Sequence, residues 1–371
     1  MSARRRLRTG FSTGAAAAAA AKAALMMLLG RPPAGRVSIP LPGGERLAIA
    51  LDSCRRLAGG LARAVVIKDA GDDPDVTNGA AIAADVELLP GGAGGGGVEI
   101  AGGAGVGQVT RPGLPVAVGE PAINPVPRAM IAAALSEAWE LAGDGGPLHA
   151  RATISVARGE ELAQRTLNPR LGIVGGISIL GTSGLVRPMS HEAYTATIES
   201  ALSVAVAAGI REVVFTTGGR SEKRAMALRP DLPAQAFVQI ADFFGFALER
   251  AAALDFARVG LVSYFGKAVK QAQGLICTHA HRADLDLAPL AQWLAAAGAS
   301  PELCAQVVTA NTARHALEML VAAGRGELAA AVGPHMLAAA RGMLGPGPAL
   351  WAAVLDLEGA VLYRGRQEGH A

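Results

Sequence analysis

Aromatic residues are scarce: phenylalanine, tryptophan and tyrosine together make up 4% of the 371 residues. A single-strand nucleic-acid binder needs such rings as stacking platforms, so that class is disfavoured. Charge of one sign is equally lacking, with 34 Lys and Arg against 31 Asp and Glu and a formal net charge of +3. Without a dense basic patch the chain reads as having no nucleic-acid partner, while a small anionic substrate remains compatible. There are only three cysteines, Cys54, Cys277 and Cys304, with no C-x-x-C spacing. An odd, scattered set excludes a disulfide framework or zinc knuckle and fits a reducing cytoplasm. No uninterrupted apolar run reaches the roughly 18 to 20 residues of a membrane helix, so the expectation is a soluble cytoplasmic chain without membrane contact.

What the chain does have begins at its N-terminus. Arg4-Arg5-Arg6 precedes LRTGFSTGAAAAAAAKAALMMLLG, an order that superficially matches an export signal. Lys22 interrupts the apolar stretch, alanine adds little membrane affinity, and Arg31-Pro32-Pro33 stands where a cleavage site should lie. A helix explains more residues. Ser12 or Thr13 is placed to cap it, and alanine loses the least entropy on becoming helical. A capped helix start among glycines is also able to hold an anion or a small polar ligand, so Ser12 and Thr13 are candidate substrate contacts.

The remaining pattern has two rhythms. Residues 36–40 and 46–50 alternate around Pro42-Gly43-Gly44, a hairpin signal. Short β-branched runs follow, bracketing the glycine cluster 91–97, which reads as a loop; a helix over about 125–141 and a strand over 152–156 complete an α+β unit. After the junction at 165–169, strands alternate with helices, predicting a mostly parallel sheet with right-handed crossovers. The expectation is an α+β domain over 1–165 and an α/β domain over 166–371 with a mostly parallel, Rossmann-like sheet.

Five stretches carry candidate chemistry. Gly181-Thr182-Ser183-Gly184 and Thr217-Gly218-Gly219 each follow an expected strand and precede a helix, where α/β sheets bind ligands. Their bare backbone and hydroxyls suit a nucleotide-like ligand, although no P-loop lysine or G-x-G-x-x-G is present. Lys68-Asp69-Ala70-Gly71-Asp72-Asp73-Pro74-Asp75-Val76-Thr77 crowds four carboxylates together, so one should have a raised pKa or be relieved by a cation. Asp69, Asp72 and Asp73 are the candidate general bases there; Lys68 and Thr77 are candidate substrate contacts, and a hard-cation site stays open. Asn124 reads as a helix cap as well as a contact, and Arg128 one turn later suits a carboxylate. His279 and His281 lie on one side of an extended segment, but without a third ligand they do not define a metal site.

In order along the chain, LRTGFSTGAAAAAAAKAAL, VIKDAGDDPDVTNGA, GVGQVTRPGLPVAVGEPAINPVPRAMI, NPRLGIVGGISILGTSGLVRPMS, TTGGRSE and ICTHAHRADLD closely resemble one family, the cobalt-precorrin-5B C1-methyltransferases of anaerobic cobalamin biosynthesis. They cover most of the chain; Asn78 and the glycine-rich 91–97 stretch depart locally. The resemblance implies methyl transfer from S-adenosylmethionine to ring carbon C1 of a cobalt-containing tetrapyrrole, giving cobalt-precorrin-6A. Cobalt would then arrive with the substrate, with no metal held by the protein. Such a displacement needs alignment and water exclusion more than a nucleophilic side chain. The substrate's many carboxylates make Arg8, Lys68, Arg111 and Arg128 candidate contacts in the first domain, and His279 and His281 further ones in the second. The donor is expected at Gly181–Gly184 and Thr217–Gly219. A non-catalytic corrinoid or nucleotide carrier is the alternative, and assembly into a homo-oligomer is left open.

Overall fold

The computed structural model describes residues 7–90, 97–142, 146–188, 190–279 and 285–369. They form two compact units, Met1–His191 and Glu192–Ala371. Each is a mixed α/β structure around its own five-stranded mixed sheet.

The first unit opens with β1 (Gly10–Phe11), α1 (Thr13–Leu28), the hairpin β2 (Arg36–Pro40) and β3 (Arg46–Ala50), then β4 (Ser53–Arg56), β5 (Leu61–Ile67) and β6 (Ala81–Leu88). It continues through β7 (Gly97–Gly102), β8 (Gly105–Val106), β9 (Gln108–Val109), α2 (Pro125–Ala142) and β10 (His149–Val156). Two short helices, α3 (Gly159–Ala163) and α4 (Asn168–Leu171), precede β11 (Ile173–Val174), β12 (Gly176–Ile177) and β13 (Leu185–Val186).

The main sheet runs β4-β5-β6-β10-β7, antiparallel except where β10 meets β7. Its strands alternate: Ala62, Ala64 and Val66 point inward from β5, and Ile82, Ala84 and Val86 from β6. That inner face receives α1, which packs on its other side against α2. Because α1 is buried around its whole circumference, a one-sided apolar stripe would not serve it, and alanine lets the sheet and α2 approach closely. Lys22 is the exception within the helix; its ammonium donates to the Ser38 carbonyl at 2.7 Å and pairs with Glu137 of α2 at 3.0 Å.

The division of the chain differs from the expected boundary at 165/166. Residues 168–186 belong to the first unit because their short strands pair there: β11 with β9, β12 with β8 and β13 with β1. The run 177–180 is therefore not a strand of the second sheet.

The second unit comprises α5 (His191–Ala207), β14 (Glu212–Thr216), α6 (Gly219–Leu228), β15 (Phe237–Gln239), α7 (Phe244–Ala253), β16 (Arg258–Tyr264) and α8 (Phe265–Ala272). Helices α9 (Ala288–Ala296), α10 (Pro301–Val308), α11 (Ala313–Ala322) and α12 (Val332–Leu344) lead to the hairpin β17 (Ala349–Leu355) and β18 (Val361–Gln367). The sheet order is β15-β14-β16-β17-β18; three pairings are parallel and the last is antiparallel. β14 is buried at every residue, as a strand covered on both faces must be. Val214, Val262 and Trp351 pack with Ala225 of α6 on one face, while Val213, Phe215 and Leu261 meet α7, α8 and α12 on the other. The chain thus leaves β14 towards one face and β16 towards the opposite face. Among the described residues no helix is long and apolar enough to cross a membrane.

Candidate functional site

In the first unit the acidic turn after β5 is ordered by two cations. Lys68, 2% exposed, pairs its ammonium with Asp75, whose other oxygen accepts from the Thr77 amide and hydroxyl at 2.7 Å each. Arg8 grips both oxygens of Asp69, and its backbone amide donates to Asp72 at 2.7 Å. Asp69 also caps the Gly71 amide at 2.9 Å, and the Asn78 carbonyl oxygen caps that of Ala70 at 2.9 Å.

Of the two expected outcomes, a raised pKa or relief by a cation, the second holds at Asp69 and Asp75. The Arg8 guanidinium, helped by the Gly71 amide, holds Asp69 below the usual carboxylate range. Burial pushes Asp75 up, yet Lys68 and the Thr77 donors outweigh it and the net shift is downward. Asp69 and Asp75 escape an upward shift from their acidic neighbours because each meets its own donors. Asp73 is likewise engaged, its amide donating to the Ala70 carbonyl at 3.3 Å. Asp69, Asp72 and Asp73 therefore share one turn, with Asp69 held ionised by an internal partner.

Ser12 and Thr13 are each 3% exposed; of the two candidate caps Ser12 is the N-cap of α1, and Thr13 is the first residue inside the helix. Ser12 Oγ accepts from the Ala15 amide at 3.2 Å; Thr13 Oγ1 accepts from the Leu180 amide at 2.8 Å and donates to the Leu180 carbonyl at 3.2 Å. Facing them is the turn Gly181-Thr182-Ser183-Gly184. The amides of Ser12 and Gly14 donate to the carbonyls of Gly184 and Leu180 at 2.9 and 3.1 Å, so backbone oxygens already take the place an anion would occupy. A Cβ at Gly181 would lie 2.5 Å from Ser12, and one at Gly184 would lie 2.7 Å from Leu41. Both glycines thus have a packing reason. Thr182 and Ser183 are exposed.

Of the remaining cations, Arg128 donates to the carbonyls of Ile123 at 2.9 Å and Ile100 at 3.3 Å and reaches Glu120 at 3.4 Å. It fixes the entrance to α2. Asn124 supports the same entrance: its amide donates to the Ile179 carbonyl and its own carbonyl accepts from the Arg128 amide, both at 3.0 Å. Arg111 differs. It is exposed, its aliphatic stem lies against Gly172, and among the described residues its guanidinium has no hydrogen bond or ion pair.

In the second unit Thr217-Gly218-Gly219 turns from the carboxyl end of β14 into α6. Among the described residues no atom outside the local chain lies within 4 Å of a Cβ built on Gly218 or on Gly266 of α8, and at Gly219 the nearest is Gln239 Nε2 at 3.9 Å. The backbone faces open space. Arg220 lies over the Tyr264 ring at 5.2 Å, which places the start of α6 beside the end of β16.

At the same end of the sheet, Asp242 follows β15 and Lys267 occupies the first turn of α8 after β16. Lys267 pairs with Asp242 and reaches Thr278 Oγ1 at 3.4 Å; Thr278 Oγ1 in turn donates to Asp242 at 2.7 Å. Lys270 donates to the Thr278 carbonyl at 3.1 Å. Burial and the neighbouring Lys270 lower the Lys267 pKa to about 8. Sequence reading missed Asp242 and the α8 lysines Lys267 and Lys270, which stand in two separate segments without a compact motif. Thr278 was in view only as a neighbour of the histidines. The available signal was their common position just beyond strand ends. His279 follows Thr278 and is half-buried, whereas His281 lies outside the described residues. Among the described residues no three His, Cys, Asp or Glu side chains gather as a metal site.

Comparison with known proteins adds an independent line. The CbiD family model matches residues 1–188, and the model described as CbiD, C-terminal domain, matches 277–366. The chain is 48% identical over 320 residues to the cobalt-precorrin-5B C(1)-methyltransferase of Nitratidesulfovibrio vulgaris, covering 85% of this chain and 81% of that one. It is 47% identical to the enzyme of the same name from Geobacillus kaustophilus, covering 87% and 85%. A 1.9 Å crystal structure of a cobalamin biosynthesis protein (cbiD) from Archaeoglobus fulgidus shares 28% identity over 70% of this chain and 78% of that chain, with a TM-score of 0.38.

Proposed function

The chain belongs to the CbiD family and methylates cobalt-precorrin-5B at C1; we propose that S-adenosylmethionine is the donor, that the second unit binds it, and that cobalt-precorrin-6A forms in the cytoplasm. The observation that carries the activity is the near-half identity over most of both chains to proteins named for it. This favours the enzyme over a non-catalytic carrier.

The donor site rests on the second sheet. Its order places β14 between β15 and β16, and the chain departs to opposite faces after β14 and β16. In a doubly wound, Rossmann-like reading of this sheet, that divergence is the topological switch point where ligands bind. The open backbone at Gly218, Gly219 and Gly266 fits close approach of a nucleoside, and the Thr217 hydroxyl stands at the turn. Bound there, S-adenosylmethionine supplies an electrophilic methyl group on a sulfonium. The protein's part is to position the donor and keep water out, which requires no nucleophilic side chain.

For the tetrapyrrole, Arg111 is the member of the set Arg8, Lys68, Arg111 and Arg128 whose side chain has no partner among the described residues, leaving it capacity for a substrate carboxylate. Arg8, Lys68 and Arg128 shape the surface around their own partners, and Asp69, Asp72 and Asp73 act through the order of their turn.

Anaerobic incubation of the purified chain with S-adenosylmethionine and cobalt-precorrin-5B should add the mass of one methyl group to the tetrapyrrole. Binding of both ligands without that gain would favour the carrier.

A further inference from the structure

Three neighbouring strands of the second sheet end at one edge, and each contributes a different chemistry there. β14 gives the bare Thr217–Gly219 turn, β15 leads to Asp242, and β16 leads to Lys267. Since β14 lies between the other two, the Lys267–Asp242 pair spans the width of the strand that carries the glycine turn.

The pair retains hydrogen-bonding capacity of both signs. Asp242 Oδ1 accepts from Lys267 and from Thr278 Oγ1; among the described residues Oδ2 has no protein partner and is not sealed from solvent. The Lys267 ammonium has three N–H donors, two of them directed at Asp242 and Thr278. One donor and one carboxylate oxygen therefore remain, on side chains 33% and 20% exposed. Lys270 adds a second positive charge at Thr278. Ala241, immediately before Asp242, has φ +47°, a left-handed conformation costly for a residue with a side chain.

A free ammonium donor beside a free carboxylate acceptor is the complement of a zwitterion. We propose that Lys267 and Asp242, braced by Thr278, bind the amino-acid end of the methyl donor: the Lys267 ammonium takes its α-carboxylate and the Asp242 carboxylate takes its α-ammonium. The assignment rests on the donor site proposed above and deepens it. The glycine turn would receive the nucleoside, and the charged pair would distinguish a ligand that bears an α-amino acid from one that does not.

Calorimetric titration of the full chain with S-adenosylhomocysteine and with 5′-methylthioadenosine, which lacks the amino-acid end, separates the two roles. The unaltered protein should bind S-adenosylhomocysteine at least tenfold more tightly. Lys267→Met and Asp242→Asn should each reduce that affinity about tenfold and leave 5′-methylthioadenosine binding within twofold. Equal affinity of the unaltered protein for both ligands overturns the clamp without any variant. So does an unchanged S-adenosylhomocysteine affinity in a Lys267→Met protein with unchanged melting temperature. If the unaltered protein binds neither ligand, the donor site itself fails and the clamp with it. Loss of binding in Gly219→Val with indifference to Lys267→Met refutes the clamp alone.

Discussion

Gly181-Thr182-Ser183-Gly184 and Thr217-Gly218-Gly219 look interchangeable in the sequence, and the structure gives them opposite surroundings. The first sits within the first unit, its flanking carbonyls occupied by the amides of α1 and its glycines pressed against Ser12, Leu41 and Met130. The second lies at the end of a fully buried parallel strand with open space over its backbone. Glycine permits close approach in both places. In one the approaching group is the protein itself; in the other no atom of the described residues fills the space.

The sharpest way to break this contrast is Gly181→Val. With φ at +131° and Ser12 2.5 Å from the new Cβ, the substitution should cost about 3 kcal/mol through strain and overpacking, lowering the melting temperature by about 10 °C. A calorimetric scan unchanged by Gly181→Val would show that this turn is as open as the other.

A comparable loss is expected from Asp75→Asn, which leaves the Lys68 ammonium buried without its carboxylate, at about 3 kcal/mol. The pH dependence follows from the downward shift of Asp75. Its contribution is fully present above the ordinary value of 3.8 and is lost as the pH falls through the lower, folded-state value. Urea titrations repeated down to acid pH should show a stability slope for the unaltered protein that is shallower in Asp75→Asn. Parallel slopes would locate the acid sensitivity in other carboxylates.

Smaller in stability, but decisive for the contrast, is Gly219→Val. No clash awaits its Cβ, so stability should stay within about 0.5 kcal/mol. S-adenosylhomocysteine affinity should fall about tenfold, about 1.4 kcal/mol. Unfolding without a binding defect would reverse the two turns' roles.

Much of the scaffold was readable because it is encoded locally. The hairpin at 36–50, the cap at Ser12, the helix over Ala15–Ala24 and the strand–helix alternation beyond 210 all follow from short-range pattern. The unit boundary was not, since residues 168–186 are held by pairings with strands up to 176 positions away, such as Gly10 with Val186. The acidic turn was legible in part: its repulsions and the compensating Lys68 lie in one stretch of sequence, but the second compensating cation, Arg8, comes from before α1. The same holds for the Lys267, Asp242 and Thr278 cluster, whose members meet because β15 and β16 end on either side of β14 and the segment after α8 returns to them. Chemistry assembled from strand ends leaves no contiguous motif.

The alanine helix has a further consequence. A rod of methyl groups looks much the same at every rotation about its axis, so packing alone gives α1 little reason to prefer one phase over another. Lys22 removes that degeneracy: a single long side chain, anchored to the Ser38 carbonyl and Glu137, keys an otherwise featureless cylinder to one angular setting. The angular setting of α1 is thus held at two places, by Lys22 within the helix and, more than two turns away, by the bonds of Ser12, Thr13 and Gly14 to Leu180 and Gly184.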